Sequence, residues 1–182
     1  MILSDSRLAT LCENTDFCLP HNPDLVGPCS RDLLLAPEIL YEGTLSSSYP
    51  WMPYDLNQGA YELQPGEFIL ASTQETIRMP RNLCGQLMLR STAARMGLEH
   101  SFSGLVDPLF EGTLTLELRN NLRHRPITIE PGMRLLQLVV LEVAGTVARP
   151  YNKVGWYQNQ NGPTASNNRV HSHLLVRRDF NY

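Results

Sequence analysis

No apolar run in the chain approaches the ~18 residues a membrane-spanning helix needs, so a helical membrane protein is excluded. Met1 to Asp5 lack a basic stretch followed by an apolar core, so no secretory leader is expected and the chain reads as cytoplasmic. Positive charge is not in excess. The formal net charge is −3, so general nucleic-acid binding is not expected, while a local basic pocket stays open. Cysteine is scarce. Cys12, Cys18, Cys29 and Cys84 form no Cys-x-x-Cys pair and no disulfide frame, which points to reduced thiols. Internal repeats are absent as well. What remains is 182 residues with 42% hydrophobic content, enough for one domain with a real core.

The pattern along the chain is mainly β. Ser4-Asp5-Ser6-Arg7-Leu8 opens a short amphipathic helix, with Leu8, Leu11 and Cys12 on one face and Ser4 or Asp5 as cap. Residues 14–30 are rich in Pro, Asn and Asp and read as loop. Short apolar runs then follow: Leu33 to Leu35, Phe68 to Ala71, Thr76 to Met79 and Gln86 to Leu89. Further runs are Thr113 to Leu118, Ile127 to Ile129 and Leu135 to Val143. Pro65-Gly66, Pro80, Gly85, Pro108, Gly112, Pro126 and Pro131-Gly132 punctuate them. Many short strands at this spacing predict a sandwich or distorted, jelly-roll-like barrel rather than an alternating βαβ fold. Ser91 to Gly97 is the exception and predicts a helical turn ended by Gly97. Residues 152–182 are polar and read as a mobile tail.

Four segments carry candidate chemistry. Thr113 to Arg119 alternates, with Leu114, Leu116 and Leu118 on one face and Thr113, Thr115, Glu117 and Arg119 on the other. Glu117 is then either a solvated carboxylate or a pocket group whose partial burial lets it carry a proton near neutral pH. Arg90-Ser91-Thr92-Ala93-Ala94-Arg95 joins a strand to a helical turn. Free N–H groups, hydroxyls and two guanidinium groups suit a phosphate chain there, and a capped surface helix explains them equally well. Asp107, after Gly104-Leu105-Val106, either holds its own turn or accepts from a sugar hydroxyl. Tyr157 to Thr164 is linker-like or a lid whose amides close on a ligand. Zinc is not expected. Zinc nucleotide deaminases need His-x-Glu and a later Pro-Cys-x-x-Cys, and here Pro28-Cys29 runs into Ser30-Arg31-Asp32.

Taken in order, these segments resemble the dCTP deaminase branch of the dUTPase superfamily. The resemblance runs from Met1 to about Ser166. It is carried by Ser30-Arg31-Asp32-Leu33, by Arg90 to Leu98, by Gly104-Leu105-Val106-Asp107-Pro108 and by Leu116-Glu117. Pro131-Gly132-Met133 with Gln137, Arg149-Pro150-Tyr151-Asn152 and Gln160-Asn161-Gly162 complete it. The resemblance implies one dUTPase-like domain over residues 1–166, with 167–182 as a C-terminal tail. It implies a homotrimer with active sites between subunits, and deoxycytidine and deoxyuridine nucleotides as ligands. Glu117 becomes the general acid/base, Ser91 holds the water, and Arg95 supports the catalytic group. Arg90 and Thr92 fall at the phosphates, Ser103 beside the base, Asp107 at the 3′-hydroxyl, and Tyr151 and Gln160 on the sugar-phosphate side. Mg²⁺ rides on the phosphates, with no metal held by the protein itself.

Three departures bear on substrate choice. Phe102-Ser103 stands where the family has a small Thr-Ala pair. Gly104-Leu105 replaces the His-Arg of strictly monofunctional deaminases and resembles the bifunctional enzymes that carry dCTP through to dUMP. Trp156 replaces a lysine, with Lys153 nearby. The expected activity is therefore dCTP deamination. The alternatives are a dUTP pyrophosphatase, a dCMP-preferring deaminase and a non-catalytic nucleotide-sensing module.

Overall fold

The computed structural model describes residues 1–43, 50–101 and 104–166. The N-terminal helix forms as expected, α1 at Asp5–Asn14, and buries Leu8 and Cys12. Of the two cap candidates, Ser4 makes no capping bond, and the Asp5 carboxylate accepts from the Ser6 N–H of the first turn at 2.7 Å.

Twelve strands follow among the described residues. The first five are β1 Cys18–Leu19, β2 Arg31–Leu34, β3 Glu38–Glu42, β4 Trp51–Asp55 and β5 Tyr61–Leu63. The long central strands are β6 Phe68–Arg78 and β7 Leu83–Leu89, followed by α2 at Ser91–Arg95. The rest are β8 Leu98–His100, β9 Leu105–Val106, β10 Glu111–Asn120, β11 Ile127–Ile129 and β12 Arg134–Glu142. A last helical turn, α3, spans Tyr151–Val154. One sheet runs β4-β3-β6-β10-β8, with β1 also on β6. A second runs β2-β12-β7-β9, and β11 pairs with β5 in a third. Leu33, Leu87, Leu136 and Leu138 of the second sheet meet Ile39, Ile69, Leu116 and Leu118 of the first in one buried cluster. The architecture is thus packed sheets with short helices, and the sheets do not close into a ring among the described residues.

Two apolar runs expected as separate strands are one. Ser72 to Glu75, the polar stretch between them, is a bulge inside β6: Thr113 faces Thr76, and Thr115 already faces Ser72. Thr73 repairs the ladder by accepting from the Leu114 N–H at 2.9 Å and donating to the Glu75 carbonyl at 2.8 Å. A polar side chain here does what a backbone group would otherwise do.

Two loop expectations need correction. Residues 14–30 contain β1 and a 3₁₀ turn at Pro23–Leu25. They are fastened by Arg31, which is fully buried and donates to Cys18 Sγ, Asn22 O and Pro20 O. Residues 152–166 are not a free tail. The chain returns along β10, where Gln160 bridges Gly112 in parallel. Residues 167–182 lie outside the described part.

Candidate active site

β10 is the floor of the site. Its alternation is real: Leu116 and Leu118 enter the core, and Thr115 and Glu117 face the other way, half-buried. That second face is not open to solvent. It forms one wall of a cavity of about 440 Å³ lined by Leu114, Thr115, Glu117, Asp107, Tyr151 and Gln160 among others. Leu114 and Thr115 both border it, opposite the bulge in β6. The Glu117 side chain keeps 27% of its exposure, so its carboxylate is reachable from the cavity.

Asp107 sits at the end of β9, where its carbonyl accepts from Phe110 N–H at 3.1 Å to close the turn. The backbone closes this turn without the carboxylate, which leaves the side chain to the cavity wall. Burial pushes the Asp107 carboxyl above its usual range. Tyr151 packs edge-on against Phe110, with centroids 5.5 Å apart, and its hydroxyl accepts from the Tyr157 N–H at 3.2 Å. Burial raises its pKa too.

The returning segment is strapped to β10. Asn159 N–H donates to Glu111 O at 2.7 Å, and Thr113 N–H to Gln160 O at 3.0 Å. The Gly162 and Thr164 N–H groups reach the hydroxyls of Thr113 and Thr115 at 3.0 and 3.1 Å. Only glycine fits at position 112. Its φ is +141°, and a Cβ there would lie 2.7 Å from Gln160 O. The Gln160 side chain donates to Thr113 O at 2.6 Å, so here it fastens the strap.

The predicted site residues divide into two groups. Glu117, Asp107, Tyr151 and Gln160 come together around the cavity. Arg90, Ser91, Thr92 and Arg95 are not among its lining residues. Ser91, Thr92 and Arg95 lie exposed on α2, and Arg90, the residue before it, pairs with Asp32 at 3.1 Å. No side chain caps α2, so the ordinary capped-helix explanation of Ser91 and Thr92 loses its support. Gly97 ends the turn at φ +91°, as expected. Ser103, with Phe102, lies outside the described residues.

Among the lining residues, Trp51 and Ser166 gave no sequence signal. Trp51 meets Phe68 in a tilted contact, centroids 6.0 Å apart. Outside the cavity lining, His100 is the least expected neighbour of Glu117. It lies on a three-residue strand too short to show a period, and its Nε2 is 3.6 Å from Glu117 Oε2. Among the described residues, no group of three or more His, Cys, Asp or Glu side chains is placed to hold a metal.

Residues 2–143 match the sequence profile of a family described as dCTP deaminase-like. The chain belongs to the dCTP deaminase-like family. Curated relatives of this family include the "dCTP deaminase, dUMP-forming" of Corynebacterium glutamicum (strain R), 35% identical over 91% of this chain and 95% of the relative. The enzyme of the same name from Thermobifida fusca (strain YX) is 34% identical over 91% of this chain and 92% of the relative. Among solved structures, the 2′-deoxycytidine 5′-triphosphate deaminase of Agrobacterium tumefaciens superposes with a TM-score of 0.63 at 22% identity. The match covers 76% of this chain and 47% of that one, and it supports a shared fold alone. The family profile ends at residue 143, whereas Tyr151 and Gln160 reach the cavity from beyond it.

Proposed function

We propose that this chain hydrolyses the amino group of a deoxycytidine nucleotide, dCTP first, with Glu117 as general acid/base. The observation that carries the reading is Glu117 on the wall of a cavity it shares with Asp107 and Tyr151, in a chain of the dCTP deaminase-like family. Glu117 takes a proton from water as the water oxygen bonds to C4 of the cytosine ring, and passes that proton to N3. It then moves the hydroxyl proton to the amino group. The C4–N bond breaks, ammonia leaves and a C4 carbonyl remains. Asp107 accepts the 3′-hydroxyl, and Tyr151 and Gln160 bound the sugar-phosphate side. Ser103 lies beside the base.

The site is completed by a neighbouring copy of the chain in a homotrimer. Ser91 of that copy holds the water, Arg95 supports Glu117, and Arg90 and Thr92 meet the phosphates. Two features support this. The polar groups of α2 face outward, away from the cavity of their own chain. Met88, Met96 and Leu105 also expose large apolar surfaces, Leu105 at 60%. Among the described residues, Asp107 and Glu117 are the carboxylates lining the cavity. In this reading Asp107 serves the sugar and Glu117 the base, and magnesium travels on the nucleotide's phosphates, whose charge it offsets.

The relatives' name, dUMP-forming, favours continuation to dUMP and pyrophosphate. Chromatographic assay of dCTP, dCMP and dUTP with magnesium tests the reading. Ammonia and dUMP from dCTP are expected, and turnover of dUTP alone would replace the reading with a pyrophosphatase. Mixing inactive Glu117→Gln and Ser91→Ala chains, refolded together, should restore deamination. No restoration would place both groups within one chain.

A further inference from the structure

The Glu117 carboxylate has two sides, and the cavity accounts for one. Behind it stands His100, held by the pairing of β8 with β10, in which His100 faces Leu118 across the ladder. The His100 side chain is 4% exposed. Its Nε2 is buried and has no hydrogen-bond partner among the described residues. Unpaired buried polar atoms are costly, and each needs a reason. Glu117 Oε2 lies 3.6 Å from the His100 Nε2, a few tenths of an ångström beyond a hydrogen bond.

The surroundings fix the protonation state of the ring. His100 lines a second, apolar groove with Gln86, Leu87, Met88, Leu89 and Leu98. Leu87 borders both this groove and the Glu117 cavity, so the two share a wall. Burial lowers the His100 pKa to about 4, so the ring is neutral at working pH. The charged groups nearby do not offset this. From β7 the polar neighbour is the neutral Gln86, and α2 brings Ala94 to the groove with Arg95 exposed. Arg90 is paired with Asp32. On β8 itself, Glu99 is exposed and sits opposite Arg119 of β10. Glu117 is the titratable group that faces the ring.

We propose that His100 is a positioning residue for Glu117: its neutral imidazole donates Nε2–H to Oε2, fixing the carboxylate's orientation and holding down its proton affinity. Hydrogen bonds of this kind are often long without substrate and tighten when the site is filled. The role rests on the deaminase reading of Glu117 and adds to it. His100 gives up no proton. It stabilises the anionic form of Glu117, which is the form that must accept a proton from water. A donor on the far side also leaves the other carboxylate oxygen turned to the cavity.

Three substitutions separate this from a packing role. His100→Phe keeps the ring and removes the donor. His100→Gln places an amide nitrogen near the position of Nε2, and His100→Asn places it near that of Nδ1. The readout is the acidic limb of the kcat–pH profile for dCTP deamination, which reports the ionisation of Glu117 in the complex. With the donor gone, the limb moves to higher pH by about one unit in the Phe and Asn variants. The Gln variant keeps the limb of the unmodified enzyme. An unmoved limb in the Phe variant, or equal limbs in Asn and Gln, overturns the proposal. If the Phe variant does not fold, the Asn–Gln pair decides. An unmodified enzyme that does not deaminate would sink the functional reading instead, so the two failures are distinguishable.

Discussion

Glu75 and Glu117 lie on adjacent strands of one sheet and do opposite work. Glu75, in the bulge of β6, is 1% exposed, and its carboxylate accepts from the Leu34 N–H at 3.0 Å. Desolvation raises its pKa, against the pull of the backbone bonds and of buried Arg31. By burial alone, Glu75 is the more conspicuous carboxylate. Yet it is not among the residues lining the Glu117 cavity, and its partner is a backbone amide of β2. Glu117 keeps 27% exposure and faces a space large enough for a nucleotide. A perturbed pKa marks a functional group only where a substrate can arrive. Where none can, it marks a buried group that ties two sheets together.

Glu117→Gln should have the largest effect, a loss of about 10²–10⁴-fold in kcat for dCTP with the melting temperature unchanged. Activity and thermal unfolding on the same preparation check it. Glu75→Ala should do the reverse. It leaves the buried Leu34 N–H without an acceptor and costs about 1–3 kcal/mol of stability, with kcat per folded molecule retained. Denaturant unfolding measures that cost. Gly112→Ala tests whether the strap belongs to the site. It should raise KM on the order of tenfold by loosening hydrogen bonds worth about 1 kcal/mol each, and it should lower stability by about 1 kcal/mol or more because alanine is strained at this φ and meets the strap backbone. The smallest effect is in pH. Because the native Glu75 pKa is raised, the folded state holds its proton above pH 4.5, where the unfolded chain has released it. Stability therefore falls as pH rises from about 4.5 toward the raised native value. Glu75→Gln should flatten that slope.

Much of this was legible from short patterns. The alternation in Thr113 to Arg119 assigned the faces of β10 correctly, because one side of that strand is core. Gly97 announced the end of α2 through its positive φ. The bulge in β6 was not legible, since Ser72-Thr73-Gln74-Glu75 reads as a break between strands. Thr73 turns it into continuity by a side-chain bond to Leu114, 41 residues away. Arg31 was equally opaque. A charged residue beside a polar loop gives no hint of full burial, which follows from its three acceptors on the preceding segment. Nor did the polar stretch after Tyr151 announce its place on β10. Most of its hydrogen bonds involve backbone groups of β10 or threonine hydroxyls, joined by the amides of Gln158 and Gln160, and composition does not encode such partners.

By itself the sequence determined a mainly β chain, its family and the identity of Glu117 as the residue to watch, because order, spacing and alternation are local properties. Tertiary structure alone decided what surrounds that residue. It gathered Asp107, Tyr151 and Gln160 from separate elements, set α2 outside the cavity, and placed His100 behind the carboxylate. Those relations come from strand pairing and packing between residues far apart in the chain, where a hydrogen-bond register fixes neighbours that no local pattern can name.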